Sequence, residues 1–444
     1  MILVDGEIRV RNFILQFLAF TSRNINRTFI ELSLGCKNFI FICCVIAMNT
    51  FYTDVHSQEL LMMKPESVGL SSEKLNLIKK SVQSFVDQKK IAGATTVVAR
   101  RGKIAHLETY GFRNIESNKK MNLDSIYRIY SMTKPITSVA VMMLYEQGKI
   151  ELNKPVSSYV PEIKDFEVYI SGSGAEIVLQ KNKREMTITD LLTHTSGLIY
   201  GWEGSPIDFQ YQKLLYADYS HSEMINEFKD LALRYHPGEK WAYGLSTDLL
   251  GYIIEQVSGQ SLADFFKENI FLPLMMKDTD FYVPKEKVER LATIYVKENE
   301  ELKSENPMGI NEVSKLPKIL SGGAGLYSTV SDYIRFAQMI LNKGQLDGIR
   351  LLSEETVELM VKNHISADVD FERGRKNYML SGFGLGFGIW SRGIRGWAGI
   401  ANTYFFIDFE TDIVSMIWTQ LRPSGAYPML VLGFNQLITQ AIID

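Results

Sequence analysis

Leu75, Ile78, Val82, Phe85 and Val86 recur at helical spacing behind the capping candidates Ser71 and Ser72, which predicts an amphipathic surface helix. Two short β-type runs follow at 94–99 and 104–109, joined through Arg101-Gly102 as a hairpin. From Ser131 to Gln147 the period is helical again. Ile136, Val139, Ala140, Met143 and Leu144 make its apolar face so broad that this helix belongs between layers, and Gly148 ends it. Helical periodicity with loop punctuation dominates from about 151 to 310, including 245–257 and 261–271. Beyond Gly322 come a glycine-rich turn, a helix (331–341), strands at 383–390, 403–407 and 412–419, and a last helix from about Pro428 to Ile443. Strands at both chain ends with helices between predict an α+β fold, in which one antiparallel sheet is completed by both termini and flanked by helices. The expected domains are a discontinuous α/β part, 58–150 with 310–444, and a mostly helical insert, 151–309.

The N-terminus departs from this pattern. Residues 39–48 (FIFICCVIAM), directly after Lys37, form an apolar run that is far short of a bilayer span and fits the h-region of a signal peptide. Val55-His56-Ser57 offers a tolerable cleavage site before Gln58. Against export, 36 residues precede Lys37 and carry a second apolar patch at 13–20. Residues 1–57 therefore read as a signal or anchor segment, with a surface helix or a start codon assigned too early as the alternatives. The first reading makes the protein periplasmic or secreted and the last makes it cytoplasmic; any membrane association belongs to this segment alone.

Composition narrows the function classes. The 444 residues are 46% hydrophobic and 22% charged, enough to bury a large core. Lys+Arg 48 against Asp+Glu 51 gives a net charge of −3, which offers no electrostatic footprint for nucleic acid. All three cysteines, Cys36, Cys43 and Cys44, lie in the first tenth of the chain, so the main body has neither a disulfide framework nor a cysteine metal site.

No HExxH, paired CxxC, GxxxxGK[ST] or GxSxG is present, so metal, P-loop and nucleophile-elbow chemistry are disfavoured and no cofactor is implied. Ser-x-x-Lys occurs three times, and context separates the copies. Ser71/Lys74 begins a polar helix face and Ser117/Lys120 sits in the turn-like ESNKK, whereas Ser131/Lys134 opens an apolar helix with Pro135 in its first turn. At i and i+3 the hydroxyl and amine share one face, and burial disfavours the ammonium, so the amine could take the serine proton. The competing reading makes Ser131 a helix cap and Lys134 a solvated side chain. Tyr243, in PGEKWAYGLS before a helix, could pass a proton or simply pack. Gly396-Trp397-Ala398-Gly399-Ile400 sits near a strand start, where small residues let a substrate approach backbone N–H groups. His194 and Ser196 lie in one short turn, THTSG, read as structural. Tyr200, Trp202, Phe209 and Tyr211 form an aromatic stretch that suits an acyl pocket, core packing or an exposed loop.

The ordered set SMTK, LLTHTSGL (191–198), PGEKWAY, GGAGLYST (322–329) and GWAG resembles the serine β-lactamase-like hydrolases of class C and penicillin-binding-protein type, and within them the family VIII carboxylesterases. The resemblance runs from about residue 62 to the C-terminus. It implies a β-lactamase/transpeptidase-like fold with a cleft between the α/β and helical parts. It also implies Ser131 as the acylated nucleophile, Lys134 as its base, Tyr243 as proton relay, backbone N–H groups of Ser131 and Ile400 as oxyanion hole, and Trp397, Ala398 and Gly399 as the substrate-binding strand.

Two departures bear on substrate. Tyr243-Gly244-Leu245 stands where β-lactamases have Tyr-x-Asn, and Trp397-Ala398-Gly399 replaces Lys-Thr-Gly. Losing a charge-assisted contact to a β-lactam carboxylate costs about 1.5–3 kcal/mol, while a neutral ester loses nothing. The expected activity is hydrolysis of small carboxylic esters through an acyl-enzyme. The rivals are β-lactam or D-amino-peptide hydrolysis and a non-catalytic envelope binding protein of the same fold.

Overall fold

The computed structural model describes residues 61–216, 219–305, 313–423 and 428–444. Cys36, Cys43, Cys44 and the apolar run at 39–48 lie outside them. No helix among the described residues is long and apolar enough to cross a membrane.

In chain order the framework is helix α1 (Ser72–Asp87), strands β1 (Gly93–Arg100), β2 (Lys103–Asn114) and β3 (Lys119–Lys120), and helices α2 (Thr133–Glu146), α3 (Ser246–Ser258) and α4 (Val330–Leu341). Strands β4 (Gly382–Phe383), β5 (Gly388–Ile389), β6 (Arg395–Gly399), β7 (Thr403–Asp408) and β8 (Ile413–Trp418) and helix α5 (Pro428–Ala441) complete it. The eight strands form one antiparallel sheet in the order β4-β5-β6-β7-β8-β1-β2-β3. The C-terminal meander is thus closed by the N-terminal hairpin, with Val97 opposite Met416 at the seam.

Every residue of β1 and β8 is buried, because both faces of the sheet are covered. Side chains alternate across a strand. Val97, Ala99, Val414 and Met416 enter the larger core, while Ala94, Val98, Ile413 and Ile417 enter a second core beneath α1 and α5. The larger core continues without a break into Ile136, Val139 and Ala140 of α2 and into Leu249 and Ile253 of α3. That continuity explains why α2 is apolar almost all round.

One expectation gains detail and another changes. The stretch 151–309, expected to be mostly helical, also contains the hairpins Glu167–Ser171/Val178–Lys181 and Tyr295–Glu298/Glu301–Ser304. These are short ribbons with largely exposed residues, so they lack the buried alternation that marks a strand. The run 383–390 is a hairpin of two-residue strands, not a single strand. Gly386 turns it at φ +89°, where a Cβ would stand 2.0 Å from the Ser138 hydroxyl of α2, so a side chain is excluded by both backbone and contact.

Candidate active site

α2 begins irregularly. Tyr130–Met132 form a 3₁₀ turn, and Tyr130 holds φ +45°, an uncommon conformation for a bulky residue. The turn is pinned by its neighbours. Tyr333 of α4 donates to the Met132 carbonyl at 2.7 Å, and a Cβ at Gly399 of β6 would lie 2.4 Å from the Ile129 carbonyl oxygen. Only glycine lets the strand lie this close. Ser131 caps nothing, since the cap position of α2 falls on Met132 and no side chain fills it. Its hydroxyl is left for Lys134.

Lys134 is 1% exposed and Ser131 is half-buried, so the amine sits behind a hydroxyl that reaches the cavity. Lys134 Nζ lies 3.3 Å from Ser131 Oγ, 2.8 Å from Tyr200 Oη and 2.8 Å from the Gly323 carbonyl oxygen. Burial pulls its pKa from 10.5 down to about 7, against the opposing pull of Asp248. A neutral amine has two N–H groups and one lone pair. With Gly323 and Tyr200 accepting the two hydrogens, the lone pair is left for the Ser131 proton.

The Gly323 carbonyl is aimed by the glycine-rich turn. Asp248, in the first turn of α3, accepts from Ser321 Oγ at 2.5 Å and from the Gly323 N–H at 3.2 Å. A Cβ at Gly323 would meet the same carboxylate at 2.4 Å. From the other side Thr137 donates to the Gly322 carbonyl at 2.6 Å, and Thr133 accepts from the Leu326 N–H at 3.2 Å. Thr133 and Thr137 lie one turn apart on α2, so one helix face carries the lysine and both threonines that hold its turn.

Tyr243 closes the group. Lys134 Nζ stands 4.7 Å from its ring centroid, and its hydroxyl accepts from Trp397 Nε1 at 3.0 Å. Burial raises its pKa well above that of an ordinary phenol, opposed by its interactions with Ser131 and Trp397, so the phenol is protonated at neutral pH. An indole N–H can only donate, which fixes the Tyr243 oxygen as acceptor on that side and turns its own proton elsewhere. Trp397→Phe keeps the aromatic wall and removes this donor; kcat should fall by about threefold to tenfold with KM little changed, because one neutral hydrogen bond contributes about 1 kcal/mol. Steady-state kinetics of the variant check this.

Ser131, Tyr243, Trp397, Ala398, Gly399 and Ile400 all line one cavity of about 1010 Å³. Tyr200, Trp390 and Phe406 add aromatic wall. Of the aromatic stretch, Tyr200 and Trp202 face this cavity and stack at 5.2 Å, while Phe209 is exposed and Tyr211 is buried with its hydroxyl on the Ala232 carbonyl. Ser196 is turned to the Ser246 hydroxyl at 2.8 Å, as a structural turn requires. His194 is buried, held neutral by burial, and packs edge-on against the Tyr243 ring at 4.8 Å. The sequence reading missed this buttress, and it missed the contacts of Tyr200 and Gly323 with the lysine and the hold of Asp248 on the Gly323 turn. The other Ser-x-x-Lys pairs are surface features: Ser71 caps α1 through the Lys74 N–H, and Ser117 binds Asn114. No group of three or more His, Cys, Asp or Glu able to hold a metal ion occurs among the described residues.

A family model described as Beta-lactamase matches residues 78–430. The chain is 32% identical to Protein Rv1367c of Mycobacterium tuberculosis over 359 residues, which span 77% of this chain and 89% of that one. It is 29% identical to Esterase EstB of Burkholderia gladioli over 277 residues, 57% of this chain and 66% of the esterase. Among solved structures, simvastatin synthase (LovD) from Aspergillus terreus has the same fold at TM-score 0.73, with 21% identity over 84% of this chain and 98% of that one.

Proposed function

The chain belongs to the Beta-lactamase family, and on that premise we propose that it is a serine hydrolase cleaving carboxylic esters through an acyl-enzyme on Ser131. One observation supports this above the rest: a buried amine with its pKa near 7 lies 3.3 Å from a hydroxyl that opens onto a large cavity. Neutral Lys134 takes the Ser131 proton as the oxygen attacks the ester carbonyl. The N–H groups of Ser131 and Ile400 receive the developing oxyanion. Tyr243 hands a proton to the departing alkoxide and is reprotonated from Lys134. Water then enters, gives a proton to the same pair and attacks the acyl carbonyl, and the acid leaves as Ser131 Oγ takes that proton back.

An ester is favoured over a β-lactam because the position that would hold an anchoring cation carries the Trp397 indole, with its N–H already committed to Tyr243. EstB, a relative, bears the name of an esterase, which agrees with this reading. The test is hydrolysis of p-nitrophenyl butyrate beside nitrocefin by the purified chain. Ester turnover well above nitrocefin turnover supports the proposal, comparable rates favour the β-lactamase reading, and stoichiometric labelling without product release favours a binding protein.

Tyr243→Phe should slow ester turnover by about two to four decades, the usual loss for a missing proton-transfer group. Stopped-flow and steady-state rates on the butyrate ester measure it, and an unchanged rate would put the relay elsewhere.

A further inference from the structure

Trp202, Leu316, Met379 and Leu432 are 51%, 52%, 58% and 45% exposed, and all four line the cavity that holds Ser131. Single exposed hydrophobic side chains are ordinary on a protein surface. Four large ones converging on one opening, from four separate chain segments, are not. Trp202 comes from the loop after the THTSG turn, Leu316 from the segment that leads to Ser321, Met379 from the end of the short helix Glu372–Tyr378, and Leu432 from α5. Met379 is the most telling of them. It ends its helix at φ +54°, a position that favours glycine or asparagine, yet it carries a large thioether side chain that faces outward. On α5 the exposed Met429 extends the same apolar surface beyond the opening.

The cavity behind this rim has an apolar and aromatic wall and, at about 1010 Å³, holds far more than a butyryl group. Among its described lining residues the charged ones are Lys315, Lys318 and Arg373, the last paired with the Glu203 carboxylate. A long apolar chain fits the wall, and an anionic headgroup meets Lys315 and Lys318 at the margin. In water such esters collect in micelles and bilayers, where exposed Trp, Leu and Met side chains insert at the headgroup boundary.

We propose that the mouth of the cavity is a lipid-contacting rim through which the enzyme draws long-chain esters from a lipid–water surface. The proposal rests on the ester-hydrolase reading of the same cavity and adds to it the class of substrate. The apolar chain passes between the rim residues into the cavity, while neighbouring lipids cover Leu316, Met379 and Leu432.

The experiment compares the full chain with a full-chain variant carrying Leu316→Ser, Met379→Asn and Leu432→Ser. Two substrates are used: p-nitrophenyl laurate dispersed in vesicles of phosphatidylcholine with a minority of phosphatidylglycerol, and p-nitrophenyl butyrate in solution. The variant should lose at least about tenfold on the vesicle-borne laurate, while its butyrate rate stays within about twofold of the parent. Retained laurate turnover overturns the proposal, as does an equal loss on both substrates. If the parent chain hydrolyses butyrate but not vesicle-borne laurate, the rim proposal falls and the ester-hydrolase reading stands; if it hydrolyses neither ester, both fall.

Discussion

Ser131→Ala should lower kcat on p-nitrophenyl butyrate by at least about four decades, the scale on which a lost nucleophile acts within a coupled catalytic set. The fold should not notice. Ser131 caps no helix, and its hydroxyl meets only Tyr243 and Lys134, the latter at 3.3 Å, the longest of that lysine's three hydrogen bonds. The thermal midpoint of the variant should therefore match the parent's closely. Intact-mass spectrometry supplies a second readout. A slowly deacylating ester should add one acyl group to the parent and none to the variant. Near-normal turnover in the variant would remove Ser131 from the mechanism and with it the assignment of the site.

The second large effect belongs to Lys134. Lys134→Met removes the base and should abolish ester turnover as thoroughly as the serine variant does, by at least about four decades. In the parent, kcat/KM should rise with pH through about 7 and then level, because the amine acts as base only when neutral. Stability carries the same signature. The folded-state pKa is depressed from 10.5 to about 7, so between those values the unfolded chain holds a proton that the folded chain does not. Lowering the pH across that window therefore favours unfolding of the parent, and the penalty is fully present below about 7. At 1.36 kcal/mol per unit, the whole shift corresponds to roughly 4–5 kcal/mol. Methionine has no proton to bind. The thermal midpoint of the variant should accordingly gain on the parent as pH falls from about 10 to 7, whatever the two differ by at high pH. A constant difference would mean that Lys134 is charged in the folded protein and is not the base.

The placement of Ser131 beside Lys134 was legible because it is local. Two residues three apart, followed by Pro135 and an apolar face, set their own geometry wherever the helix lies. The sheet was legible for a similar reason, since β1 and β8 are short β-branched runs bounded by turns. What surrounds the lysine was not. Tyr200 and Gly323 reach it from positions 66 and 189 residues away along the chain, and nothing in a hydrophobic period records which loops a fold brings together. His194 was hidden differently. THTSG satisfies every local requirement of a turn, so its contact with the Tyr243 ring has no separate trace in the sequence. The two-residue strands β4 and β5 were merged into one because Gly386 reads as a glycine within a strand until its contact with Ser138 is known.

The seam between β1 and β8 has a consequence for when the protein becomes active. Ser131 and Lys134 leave the ribosome early, but the strand that supports Ile129 and carries Trp397 is made some 270 residues later, and its sheet is tied to the N-terminal hairpin only through β8. Throughout most of synthesis the nascent chain would therefore hold a lysine with no dry pocket around it, a protonated amine unable to attack anything through its serine. On the proposed mechanism, reactivity would arrive with the last strands, and an interrupted or truncated chain would be chemically silent rather than a loose, unselective esterase.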